Sequence, residues 1–479
     1  MLQKRPYFLL VTLMLFCVGA QAQLSAATNL FSTDDQASFG DSLQQYTLKA
    51  ITITGNKLTR RSIILREVAF REEEQYSLSE LVRKFGETKR QLMNTGLFRE
   101  VVVSLQSMEG KDAFVEIKVK ERWYVYPIPF ARLVDRSFDE WVIEKHMSLT
   151  RINYGVKLTH RNTTGRNDQL YIYLMNGYTK QLSFRYDGLY LDKGLHWSTN
   201  FGFSLGKVKE LVYATENNKL LFYKHNDQFV NSFFRTAIEF SYRRAIKTRH
   251  TFGLGYNYEN VTDTVFKLNP FYSEQKKAVR YPEVYYRMNY TNVDFLPYPT
   301  KGYVSELGVV KKGLLHKVNL WQLTAKGSAT WPVMQKYFVN LRAAGVLKLP
   351  FKQPYVTNRL LGYDGMLMQG YEYYVIDGVA GGYGKAALFR EVLNRVIRIP
   401  SNKFERINNI PIKMFAKIYG NTGYAYNPEP GKNYLCNRFL YSSGVGLDII
   451  LFNDFVIKLE WSANRLGEKG LYLHRRDYF

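Results

Sequence analysis

The chain has 479 residues, with 66 Lys and Arg against 42 Asp and Glu for a formal charge of +24, and aromatic residues make up 15% of it. Its 46% hydrophobic content excludes a disordered chain, which could not bury enough apolar surface to fold. A mean hydropathy of -0.29 with a single long apolar run excludes a helical membrane bundle, and two cysteines exclude a disulfide scaffold or a cysteine-based zinc cluster.

Residues 1–22 read as a secretory signal. Lys4 and Arg5 form a basic start, an apolar stretch follows, and Ala20-Gln21-Ala22 is a small-residue cleavage site. Cys17 falls in the discarded segment, which leaves Cys436 as the one thiol. Export removes nucleic acid as the partner of this basic chain and turns the charge toward anionic lipid head groups or a polar lumen. Residues 23–45 are polar and irregular and read as a linker.

Leu48, Ile51 and Ile53 then mark a strand that ends at Gly55-Asn56, and residues 59–68 read as a short helix. Ser77-Leu78-Ser79-Glu80 has the form of a capping box, in which the Ser accepts from an early amide and the Glu reaches back. Leu78, Leu81, Val82, Phe85 and Leu92 recur at helical spacing until Asn94-Thr95-Gly96 stops the helix. Val101, Val103 and Leu105 alternate, as do Val115, Ile117 and Val119 beyond the turn at Glu109-Gly110-Lys111. Glu72-Glu73-Glu74 reads as a solvated face.

This α+β order over residues 46–124, with Asn94-Thr95-Gly96-Leu97-Phe98-Arg99-Glu100-Val101 as its most characteristic stretch, resembles a POTRA domain. The resemblance implies capture of an extended client by pairing with an exposed strand edge. That edge lies either along residues 101–105 or along the first strand at residues 51–54, and the sequence leaves both open.

Residues 125–479 carry no helical period. Phe234, Thr236, Ile238, Phe240 and Tyr242 share one face of a strand whose other face holds Arg235, Ala237, Glu239, Ser241 and Arg243. Phe252 to Tyr258, Val284 to Tyr290, Phe455 to Ala463 and Ile152 to Leu158 repeat the two-residue alternation. Strand after strand without covering helices fits a closed barrel in lipid, where every backbone group must be satisfied between strands. Roughly 350 residues at about 22 per strand and connection give about sixteen membrane strands. The fold class is therefore mostly β: a transmembrane antiparallel barrel preceded by one small α+β domain.

Signal, POTRA and barrel together resemble the bacterial surface antigen superfamily, the BamA/TamA-like outer membrane proteins. The most specific stretch is Leu361-Gly362-Tyr363 through Met368-Gln369-Gly370-Tyr371-Glu372. In that family the matching loop folds inward and holds an arginine against acidic residues of the wall. Here Gln369 stands at the arginine position, Glu391 matches one acid, and Ile418 stands where the second is expected. The resemblance implies a hydrogen bond from Gln369 to Glu391, close backbone approach at Gly370, and packing of Tyr371 on the inner wall. His474-Arg475-Arg476-Asp477 interrupts the expected final strand, so residues 454–464 read as the last clean strand before a tail ending at Phe479.

Motifs for chemistry are weak. Gly202-Phe203-Ser204-Leu205-Gly206 matches a nucleophile elbow but sits in a strand pattern with no helix after it. Gly381-Gly382-Tyr383-Gly384-Lys385 lacks the Ser or Thr and the spacing of a phosphate loop and reads as a flexible or close-packed loop. No catalytic residue, metal ligand set or cofactor is expected. The resemblance implies a non-enzymatic outer-membrane assembly or translocation factor of a Gram-negative bacterium. Its partners would be outer membrane lipid and lipopolysaccharide, unfolded client barrels and periplasmic or outer-membrane assembly proteins. The alternative is an accessory subunit or porin-like channel, with Arg235, Arg243 and Arg287 in the lumen favouring anions.

Overall fold

The computed structural model describes residues 44–133, 152–225, 227–273, 278–313, 318–363, 365–398, 409–452 and 455–475. The signal segment, nearly all of the linker and Phe479 lie outside the described residues.

The first layer of structure follows the predicted α+β order. It comprises β1 (Gln45–Thr54), α1 (Arg61–Arg66), β2 (Gln75–Ser77), α2 (Leu78–Asn94), β3 (Phe98–Glu109) and β4 (Asp112–Glu121). The sheet order is β2-β1-β4-β3, with β1 parallel and β3 antiparallel to β4. Ser77 caps α2 by accepting from the Glu80 amide at 3.2 Å, and Gly96 takes the left-handed conformation (φ 72°) that ends the helix. Leu81 and Leu92 of α2 enter a core with Leu48, Ile51, Ile63, Phe98, Val115 and Ile117. Leu78 and Val82 continue the helical period but are exposed. The Glu72 to Glu74 run is partly structural, because the Glu72 carboxylate accepts from the Ile51 amide at 2.9 Å.

The remaining strands are β5 (Val125–Leu133), β6 (Ile152–Arg161), β7 (Gln169–Gly177), β8 (Thr179–Tyr190), β9 (Trp197–Val208), β10 (Glu210–Glu216), β11 (Lys219–Lys224) and β12 (Asn231–Tyr242). They continue with β13 (Thr248–Val261), β14 (Ala278–Val293), β15 (Gly302–Lys312), β16 (Leu320–Met334), β17 (Tyr337–Leu349), β18 (Arg359–Leu361), β19 (Ile376–Asp377) and β20 (Ala380–Arg398). The last are β21 (Asn409–Tyr426), β22 (Leu440–Leu451), β23 (Phe455–Asn464) and β24 (Lys469–Arg475). Sixteen of them form one antiparallel sheet that runs in chain order from β5 to β24, with β10-β11 and β18-β19 as separate hairpins in the connections.

Two expectations are corrected. The glycine-rich stretch at 381–385 is the start of β20, where Gly382 lies so close to β17 that an added Cβ would sit 2.0 Å from the Ala344 carbonyl oxygen. The expected tail after residue 464 supplies β24, paired with β23 from Lys469 opposite Ala463 to Arg475 opposite Ile457.

Burial in the sheet is the inverse of a water-soluble protein. In β23 Glu460 is 0% and Ser462 1% exposed, while Leu459 and Trp461 between them are exposed. Leu254, Ile418 and Val445 are likewise exposed, and Asn421, Asp448 and Thr330 are buried. Among the described residues no helix is long and apolar enough to cross a membrane. Strands with apolar side chains outward and polar side chains inward suit a barrel wetted by lipid. A charged group placed mid-strand on the outer face tests this. Leu254→Arg in β13 is expected to cost about 2–4 kcal/mol in urea unfolding from lipid vesicles, and Asn257→Arg on the opposite face much less.

Candidate functional site: an inward loop held by the last strands

The connection between β17 and β20 folds into the barrel. Gly370 has φ +86°, and an added Cβ would lie 2.9 Å from Ser442 Cβ, so only glycine lets the loop backbone reach the wall. Ser442 Oγ donates to the Gln369 carbonyl at 2.5 Å, and Asn464 Nδ2 donates to the Gly370 carbonyl at 2.7 Å. The Tyr371 hydroxyl donates to the Tyr441 carbonyl at 3.1 Å, and the Tyr374 hydroxyl to Glu468 at 2.6 Å. The loop is thus fastened to β22, β23 and the β23-β24 turn.

Gln369 Nε2 donates to Glu460 Oε1 at 2.7 Å, not to Glu391. Glu391 lies elsewhere on β20, where its carboxylate accepts from Asn394 at 3.3 Å. Ile418 is 56% exposed on the outer face, between Leu388 and Val445, so an Asp introduced there would face lipid and could not meet Gln369. Its neighbour Lys417 points inward and bridges Asp448 at 2.6 Å and Glu460 at 2.5 Å. His474 of β24 stands 2.6 Å from the other Glu460 oxygen and 3.5 Å from Glu372 of the loop. The cation of this buried cluster therefore belongs to the wall, and the loop contributes a neutral amide. Sequence reasoning missed Lys417, Asp448 and Glu460. Their signal was the alternation itself, which puts all three on polar faces.

A second insertion comes from the opposite end. The β14-β15 turn carries Leu296-Pro297-Tyr298-Pro299, and Tyr298 stacks on Phe415 with ring centroids 4.7 Å apart. Its hydroxyl donates to Asp448 at 2.9 Å. The same turn is held by Asn94 at the end of α2, which donates to the Val293 carbonyl at 3.1 Å and accepts from the Leu296 amide at 2.9 Å. The α+β domain also meets the β12-β13 turn through Glu67, which is 1% exposed and takes Arg243 in a forked pair at 2.6 and 3.0 Å, with Arg66 at 3.0 Å. Arg243 is thus a junction residue and not a lumen cation. Leu195 of the β8-β9 turn enters the core of the α+β domain.

The POTRA sites divide by position. Ile51 and Ile53 lie on β1, which is flanked by β2 and β4, and the Ile51 carbonyl accepts from Arg61 at 2.8 Å. Leu97, Phe98 and Val101 are buried, and Val101 and Val103 lie on β3, the outer strand of the sheet. Ser204 of the elbow-like motif lies within β9, hydrogen-bonded to Ser183 at 2.7 Å. Cys436 is buried. Among the described residues no group of His, Cys, Asp and Glu could hold a metal ion.

A POTRA model (surface antigen variable number repeat) matches residues 46–122, and an Omp85 superfamily domain model matches residues 162–387. The chain belongs to the Omp85 superfamily. This Omp85 protein resides in the outer membrane with its POTRA domain in the periplasm, which makes the turns that meet that domain periplasmic. It is 32% identical over 81 residues to the outer membrane protein assembly factor BamA of Neorickettsia risticii (strain Illinois), and spans 10% of that relative's length. It is also similar to the crystal structure of BamA from Haemophilus ducreyi lacking POTRA domains 1-3 (TM-score 0.48, 14% identity, covering 90% of this chain and 83% of that one). CdiB from Acinetobacter baumannii gives a TM-score of 0.47 and 11% identity, covering 90% and 73%.

Two substitutions separate the wall from the loop. Lys417→Met removes the bridge between two buried carboxylates and is expected to cost about 3–5 kcal/mol. Gln369→Ala removes one neutral donor and is expected to cost about 1 kcal/mol. The urea midpoint of the folded band in unheated gels reads both, and equal losses would contradict the division.

Proposed function

We propose that this Omp85 protein assembles or translocates other outer-membrane polypeptides by strand pairing, without covalent chemistry. The observation that carries the reading is the free edge of β3. It is the outer strand of the POTRA sheet, so its backbone groups on one side are open to an extended client. The β1 edge is already occupied by β2 and by side chains, which favours residues 101–105 over residues 51–54 as the pairing site. The partners are unfolded or partly folded barrel clients, outer membrane lipid with lipopolysaccharide, and neighbouring assembly proteins. Gln369, Gly370 and Tyr371 position the inward loop, and Glu460 replaces Glu391 as its anchor.

The porin-like alternative fits the described lumen poorly. Asn218, in the β10-β11 turn, is fully buried and accepts from the Leu435 amide at 2.9 Å, while its own amide donates to Asn433 at 2.9 Å. Its carbonyl accepts from Val375 at 2.9 Å, so three outer connections meet above the sheet. Tyr298 fills the lumen from the periplasmic side. Depletion of the protein is expected to lower the levels of other outer-membrane barrels, and unchanged levels would sink the assembly role. Purified protein in a planar bilayer is expected to show no steady conductance. A stable open channel would favour the alternative.

A further inference from the structure

The first barrel strand reads Val125-Tyr126-Pro127-Ile128-Pro129-Phe130-Ala131-Arg132-Leu133, and among the described residues it pairs with β6 alone. The register runs from Val125 opposite His160 to Leu133 opposite Ile152 without a bulge. Just before it, the Arg161 amide donates to the Tyr124 carbonyl at 2.8 Å. Backbone groups of alternate residues in an antiparallel strand point to opposite sides. Tyr126, Ile128 and Phe130 therefore bond to β6, and Val125, Pro127, Pro129 and Ala131 turn their backbone groups to the free edge. That edge is where a strand tolerates proline.

Proline has no N–H. Between Val125 and Ala131, a span of about 20 Å, the free edge of β5 offers carbonyl acceptors and no donor. A strand laid antiparallel on it would make one hydrogen bond in place of two at each proline. The other end of the sheet differs. The β24 segment Lys469 to Arg475 contains no proline, and His474 braces it from inside against Glu460 and Glu372.

We propose that β5 is a proline-blocked edge, and that a client strand entering the seam pairs with the edge of β24. The proposal rests on the assembly reading for its client. Its first half, that the prolines weaken pairing across the seam, concerns this chain alone.

The test uses the full-length protein in lipid vesicles, with single cysteines at Ala131 or Leu471, both on the exposed face. Each is oxidised against cysteines placed along the last strand of an outer-membrane barrel client. Disulfides at position 471 are expected to exceed those at 131 at least ten-fold, and P127A/P129A, which restores both donors, should raise the yield at 131 at least five-fold. Equal yields in the unmodified chain, or no change in the double variant, would overturn the proposal. Amide exchange without client keeps the two readings apart. In P127A/P129A, β24 amides should gain at least ten-fold protection, and unchanged protection would overturn the blocked edge. A client that crosslinks at neither position, with that protection gained, would defeat the assembly reading and with it the β24 capture, leaving the blocked edge standing.

Discussion

Everything in this molecule depends on the need of a strand in hydrocarbon to have each backbone N–H and carbonyl paired by a neighbouring strand. That requirement explains why sixteen strands run in a single antiparallel sheet in chain order. It also explains the inverted burial. The ladders use the backbone fully, so side chains are left to sort by solvent, and residues such as Leu459 and Trp461 face outward while Glu460 and Ser462 between them are buried. A buried Glu460 is tolerable because Lys417 and His474 stand on its two oxygens.

The lumen is closed from both ends by turns that use different chemistry. The outer loop is attached by neutral hydrogen bonds from Gln369, Gly370 and Tyr371, so its release uncovers no unpaired charge. The periplasmic turn inserts Tyr298 onto Asp448, and Asn94 ties that turn to the POTRA helix. Lys417 joins Asp448 to Glu460, which places both insertions on one charged cluster. The POTRA domain is further fixed by the buried Glu67 carboxylate between Arg66 and Arg243.

The class of fold was legible because two periods are unmistakable in the chain: the helical repeat through Leu81, Phe85 and Leu92, and the two-residue alternation of Phe234 to Tyr242. The lock was only half legible. Gly370 and the inward loop follow from local sequence, but Ile418 was placed one residue from the side chain that matters, and in a strand a shift of one residue exchanges lumen for lipid. Glu460 lies 91 residues from Gln369, and nothing local links them. Tyr298 was missed for a different reason. A turn is expected in water, and its only mark in the sequence is an aromatic residue between two prolines.

The prolines of β5 show the same backbone requirement at its limit. They sit where the ladder with β6 does not need their N–H, and they leave the seam as the place where hydrogen bonding is thinnest. Whether lipid wets the apolar faces at all is tested most directly by fluorescence in vesicles containing brominated acyl chains. Variants keeping only Trp197, Trp321 or Trp461, each exposed on a strand, should be strongly quenched, and one keeping only Trp123, before β5, should be much less so. Equal and weak quenching of all four would contradict the barrel and the role built on it.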